Sequence, residues 1–173
     1  MSISTKNQKT CFVIMPYGEK TDTANISINF DDVYKYIIKR PFQMLKNEGV
    51  EIEVIRCDEI TSAGSIHRDM IHHILHDELA IVDITMLNPN VFYELGVRHA
   101  LRRSGTILIR KSGTQNPFNI QGMRTYEYDT DMPGVDAAQE KIPLLIKSAL
   151  SNSGSDSLVY DVFPSLKVTL TDG

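Results

Sequence analysis

The chain has no tryptophan, only two cysteines in 173 residues, and no surplus of positive charge. Each of these absences excludes a class of protein. Cys11 and Cys57 both lie in strand-like runs and are too few for the disulfide framework of a small secreted domain. A net charge of −4 gives no basic footprint for nucleic acid. No apolar run approaches the ~20 residues that a membrane span needs. Residues 1–10 lack the apolar core of a signal peptide. The expected compartment is the cytoplasm, with neither nucleic acid nor membrane as partner. Two phosphate-binding motifs are also missing: G-x-G-x-x-G and G-x-x-x-x-G-K-[ST] do not occur, which argues against a dinucleotide dehydrogenase or a P-loop enzyme.

What remains is ordinary globular composition, 42% hydrophobic and 23% charged, enough for one domain with a real core. Residues 1–10 read as a flexible leader, 11–150 as the domain, and 151–173 as a linker and tail, in which Leu166–Leu170 is a candidate edge strand. Cys11–Met15 is a buried-strand run stopped by Pro16 and Gly18. The Thr/Asn/Ser-rich stretch 19–29 is long enough to cover a site. Asp31 or Asp32 is expected to cap a helix ended by Gly49, with a kink at Pro41. Further strands are expected at 51–57, 79–84, 105–109 and 123–128. Helices are expected from Ser65, from Asn88 through Arg103, and over 137–150. This alternation predicts an α/β fold: a flavodoxin-like open sheet of about five parallel strands, order 2-1-3-4-5, with helices on both faces.

In such sheets ligands bind at the carboxyl edge, where the strand order reverses. That edge gathers Met15, Pro16, Tyr17 and Gly18 after strand one, Arg56 and Asp58 after strand two, and Asp83 after strand three. Glu94 is the only charged side chain in residues 84–97. A glutamate early in a helix is usually a solvated charge favoured by the macrodipole. Here, however, Val91, Phe92, Tyr93, Leu95 and Val97 surround it, and a carboxylate in an apolar cleft is a functional candidate. An ion pair with Arg98 at i+4 is the structural alternative. Four histidines, His67, His72, His73 and His76, cluster on one helix. Without His-Glu-x-x-His or a third ligand they imply no metal. A phosphoacceptor role for Asp83 lacks the acidic pair that strand one would have to supply.

The segments Phe12–Gly18, Arg56–Glu59, Ile66–Asp69, Val82–Thr85 and Asn88–Gly96 resemble the nucleoside 2-deoxyribosyltransferase-like superfamily. They are most similar to its bacterial TIR-like branch, whose small domains occur in defence proteins. The Tyr93–Gly96 segment is also similar to the deoxynucleoside monophosphate N-glycosidases. The resemblance spans roughly residues 10–130 and implies cleavage of an N-glycosidic bond in a nucleotide, with Glu94 as the catalytic carboxylate and Asp69 as its partner. NAD⁺ is the first expected substrate and a nucleoside monophosphate the second; a non-catalytic nucleotide-binding or self-assembling module is the third possibility. NAD⁺ would enter as substrate, so no cofactor is expected. Substrate contacts are expected from Met15, Pro16, Tyr17, Gly18, Arg56 (to a phosphate), Asp58, Asp83, Asn88 and Asn90 (to ribose hydroxyls), and Tyr93. Where the transferases carry an acidic residue upstream of the glutamate, this chain has Asn88. Related enzymes close their pocket with a neighbouring copy, so a homo-oligomer is expected, with 19–29, Tyr126 and Tyr128 as interface. The chemistry is consistent with these residues. Breaking the bond builds oxocarbenium character that a carboxylate stabilises, and a neutral base needs an acid such as Asp69.

Overall fold

The computed structural model describes residues 8–22, 25–61 and 65–169; residues 1–7 of the expected leader lie outside them. Strand β1 (Lys9–Ile14) runs into a small antiparallel hairpin, β2 (Glu19–Thr21) and β3 (Ser27–Asn29). The expected loop 19–29 is therefore largely a hairpin, pinned by the Asp22 carboxylate on the Ile26 amide (2.8 Å) and by the buried Ile28. A continuous helical rod follows: α1 (Phe30–Asp32), a π-helical stretch Val33–Lys39, and α2 (Arg40–Asn47). Its cap is Asn29, which accepts from the Asp31 and Asp32 amides, and not Asp31 or Asp32 as the sequence suggests. Pro41 has no N–H to give the preceding turn, and the widened π-helical stretch ends just before it.

After β4 (Ile52–Arg56) and a 3₁₀ turn (Cys57–Glu59) come α3 (Ile66–His76), β5 (Leu79–Asp83) and α4 (Pro89–Leu101). The chain ends with β6 (Thr106–Lys111), β7 (Thr125–Tyr128), α5 (Met132–Ser151) and α6 (Leu158–Val162). Five strands pair in parallel in the order β4-β1-β5-β6-β7. In terms of the parallel strands alone, this is 2-1-3-4-5. The fold is a flavodoxin-like α/β sheet.

Strand alternation divides the core. Cys11, Val13, Met15, Leu79, Ile81, Ile107 and Ile109 face the helical rod and α5. Phe12, Ile14, Ala80, Val82 and Leu108 face α3 and α4. Burying each Leu or Ile stabilises by roughly 1.5–3 kcal/mol, so the two layers rather than the turns hold the sheet.

Arg98 closes the amino edge of this second layer. Fully buried, it donates to the carbonyls of Ile74 and Asp77 (both 2.8 Å), Glu78 (3.1 Å) and Gly105 (3.3 Å). Burial, and then the neighbouring Arg102 charge, pulls its pKa down to about 10. Gly105 has φ +92°, and a Cβ there would lie 2.1 Å from the Glu78 carbonyl, so only glycine fits.

The stretch after α5 is not a free linker. Asp156 accepts from the Gly105 and Thr106 amides (2.7 and 3.0 Å), the buried Ser157 donates to the His99 carbonyl (2.6 Å), and Tyr160 is buried. Of the expected edge strand, residues 166–169 carry no strand and Leu170 lies outside the described residues.

Candidate functional site

The carboxyl edge is built from four chain crossings, and alternation determines which side chains share it. Asp83 has the same parity as Ile81 and so turns toward α5, away from α4. Fully buried, its carboxylate accepts from the Thr85 amide (3.0 Å), the Thr85 hydroxyl (2.5 Å) and the Tyr128 hydroxyl (2.7 Å). The Lys111 amide donates to the same Thr85 hydroxyl, so the cluster ties the ends of β5, β6 and β7 together. Burial raises the Asp83 pKa to about 6, against its three hydrogen bonds. The expected substrate contact at Asp83 is corrected: the group is an internal bracket, closed to a ligand. Tyr128 is likewise 1% exposed and drops out of the expected interface.

Arg56 is corrected in the same way. It is 6% exposed, and its Nε and Nη2 donate to the two carboxylate oxygens of Asp58 (2.6 Å each). Nη1 lies 2.9 Å from Asp31 Oδ1. A phosphate would have to displace both carboxylates.

Glu94 is different. The Asn88 cap, whose side chain accepts from the Asn90 amide (2.9 Å), and Pro89 start α4 at the edge of the sheet. Val91, Leu95 and Arg98 form the buried stripe of this helix, and Glu94 lies beside it, half-buried. Among the described residues its carboxylate has no hydrogen bond and no ion pair; the Arg98 alternative fails because that guanidinium is held by carbonyls. Desolvation alone pushes its pKa up to about 7.

Its neighbours come from the other crossings. Burial raises the Tyr17 phenol, then the adjoining Cys57 thiol, then the charges of Glu94 and Asp58. Cys57 is raised by burial first, and also by Glu94, Asp58 and Asp69, while its contact with Tyr17 works against this. Tyr17, Cys57, Asp58, Asp69 and Glu94 thus share one electrostatic neighbourhood, drawn from the ends of β1, β4, α3 and α4. Cys57 is the residue that sequence reasoning missed here. Its position directly after Arg56 at the strand end was the available signal.

The remaining expected contacts fall into two groups. Met15 and Pro16 are buried, Met15 in the core layer that faces the helical rod and α5, and Gly18 makes the turn with φ +64°. Asn90 and Tyr93 are exposed, Tyr93 at 64%, on the outer side of α4. Three of the four histidines are engaged locally: His72 stacks on His76 (4.3 Å between centroids), and His73 stacks on Phe12 and bonds Asp77. No group of three or more metal-ligating side chains occurs among the described residues.

A cavity of about 590 Å³ lies elsewhere, between β6, β7, α5 and α6, lined by Met123, Leu145, Leu158 and Asp156 among others. It contains none of the converging carboxylates at the carboxyl edge, and one oxygen of its Asp156 is engaged by backbone amides. Chemistry rather than volume therefore locates the candidate site.

No family model and no curated protein matches this sequence. Solved structures similar to it include the flavodoxin-like domain of a Synechococcus sp. protein. That domain is 11% identical over 81% of this chain and 96% of its own, with a TM-score of 0.45. Another is diflavin flavoprotein A3 from Nostoc sp., 8% identical over 82% of this chain and 94% of its own, with a TM-score of 0.44. The fold assignment rests on the parallel pairing and strand order of the chain itself.

Proposed function

We propose that this protein cleaves the N-glycosidic bond of a nucleotide, with NAD⁺ the first substrate, as its resemblance to the TIR-like branch of the nucleoside 2-deoxyribosyltransferase-like superfamily implies. One observation carries the reading: the Glu94 carboxylate is half-buried, unpaired among the described residues and desolvated to a pKa of about 7. Structural carboxylates acquire donors, as Asp83 has. A carboxylate kept without them beside a partly exposed tyrosine is prepared for charge that arrives with a substrate.

Nicotinamide in NAD⁺ is already cationic, so it leaves with the bonding electron pair and no acid is needed. Glu94 then faces the developing oxocarbenium centre, and water takes the anomeric carbon with loss of a proton. Binding the cation also favours the ionised form of Glu94, the form this step uses.

The same raised pKa supports a second reading. A carboxyl that is part protonated at neutral pH can serve as acid toward a neutral base, the case of a nucleoside monophosphate, with Asp69 as the second carboxyl. Purified protein incubated with NAD⁺, nucleosides and nucleoside monophosphates, and analysed by mass spectrometry, separates the two. Free nicotinamide with ADP-ribose supports the first reading, and free purine or pyrimidine the second. No base released from any of them sinks both.

A further inference from the structure

We infer that Arg56 is a positioning residue: it fixes the Tyr17 ring and the turn after it in the candidate site. This rests on the N-glycosidase reading of that site. The guanidinium lies between two aromatic rings, 4.4 Å from the Tyr34 centroid and 5.2 Å from that of Tyr17. Tyr34 is buried and Tyr17 is 42% exposed, so Arg56 backs an aromatic ring that still reaches solvent. Its fork is held in plane by both oxygens of Asp58 at 2.6 Å. Asp31 Oδ1 serves the cluster twice: it lies 2.9 Å from Nη1 and accepts the Gly18 amide at 3.4 Å. The ring of Tyr17 and the backbone of Gly18 are therefore referred to one buried cation.

The cluster is in turn anchored to the π-helical stretch. Glu59, two residues beyond Cys57, accepts from the Tyr34 hydroxyl (2.5 Å) and pairs with Lys39 (2.6 Å). Both donors come from Val33–Lys39, so this stretch fixes the turn that carries Cys57 and Asp58. Arginine suits the post and lysine does not, because only a planar fork meets a carboxylate edge-on while stacking on rings. What Arg56 supplies is the tilt of Tyr17, the surface on which a flat heteroaromatic base would stack.

A double-mutant cycle on NAD⁺ cleavage tests this. Arg56→Lys in the wild-type background is expected to raise KM ~tenfold with kcat within about threefold, since stacking acts on binding of the base. In a Tyr17→Leu background the same change should add nothing. Asp31→Asn, a surface change that weakens the contacts to Nη1 and to the Gly18 amide but leaves the Asp58 fork in place, should move KM the same way by less and decides the matter if Arg56→Lys does not fold. Additive losses in the two backgrounds overturn the inference, as does a fall in kcat at constant KM. A folded wild type that releases no base from any nucleotide overturns the site reading itself and this inference with it. Normal wild-type turnover with an additive cycle overturns the inference alone.

Discussion

Asp83 and Glu94 leave the same sheet edge on opposite faces, and burial raises the pKa of both, to about 6 and about 7. The resemblance ends there. Asp83 has three donors and spans three strand ends; among the described residues Glu94 has neither a hydrogen bond nor an ion pair. A raised pKa therefore does not identify a functional carboxylate. Burial with donors describes a bracket; burial without them among the described residues is what the proposed role of Glu94 rests on.

The sharpest way to break this comparison is Glu94→Gln. Shape and hydrogen-bonding capacity persist while the charge goes, so turnover should fall ~10²–10³-fold, the usual effect of one preorganised electrostatic group. The melting temperature at neutral pH should hold or rise, because the amide avoids the desolvation cost of the carboxylate. Turnover and melting are read on one preparation. A variant that melts lower yet still cleaves its substrate would assign Glu94 to the fold, alongside Asp83.

Next in size is the pH profile. If the ionised form of Glu94 is the active one, kcat/KM should drop about tenfold per pH unit below roughly 7. The same limb should vanish from whatever residual activity Glu94→Gln retains. A limb near the ordinary carboxylate range would show that Glu94 is not desolvated in the working enzyme.

How much of this contrast was legible beforehand follows from which physical signals are local. Runs such as Cys11–Met15 and Leu79–Asp83 are apolar on both faces, so they had to be central strands, and the parallel order followed from the helices between them. Asn88-Pro89 marked the start of α4 for equally local reasons. Alternation could show that Asp83 and Val82 point opposite ways. It could not show that Tyr128, far along the chain, would meet Asp83 while Glu94 gains no donor among the described residues. Arg56 is closed to a phosphate in part for the same cause: Asp58 lies in its own segment, but Asp31 and Tyr34 reach it across the sheet edge and nothing in that segment announces them. The polar stretch before α6 read as a linker because Asp156 and Ser157 bond distant backbone groups, of the Gly105 turn and of α4.

Asp83→Ala sharpens the comparison from the other side. It strands the Thr85 amide in a buried site and leaves the Tyr128 hydroxyl only the Thr85 hydroxyl (3.2 Å), which costs about 2–3 kcal/mol. For a chain of this size the melting temperature should fall by about 5–10 °C. Turnover measured well below that temperature should change by less than about tenfold. Loss of turnover in a variant that keeps its melting temperature would mean that Asp83 reaches the substrate after all, and the bracket assignment would be wrong.

The smallest expected effect is the most specific. Tyr128→Phe removes the single donor on Asp83 Oδ2 and leaves the ring in place. That hydrogen bond lowers the Asp83 pKa, so without it the group should titrate higher still than about 6. The sign follows from proton binding. Since the folded-state pKa already lies above the ordinary carboxylate value, the folded state holds the Asp83 proton more tightly than the unfolded chain does. Rising pH therefore erodes stability between about pH 4 and 6. The bond from the tyrosine to Asp83 favours the ionised carboxylate, while its contact with the Thr85 hydroxyl is independent of that charge, so near pH 4 its loss should cost less. Above about pH 6 it should cost roughly 1–2 kcal/mol, or about 3–6 °C in melting temperature. Melting curves of wild type and variant, recorded from pH 4 to 8, should therefore diverge as the pH rises while turnover stays close to wild type. Curves offset equally at every pH would show that Tyr128 acts by packing alone, and that Asp83 keeps its place without it.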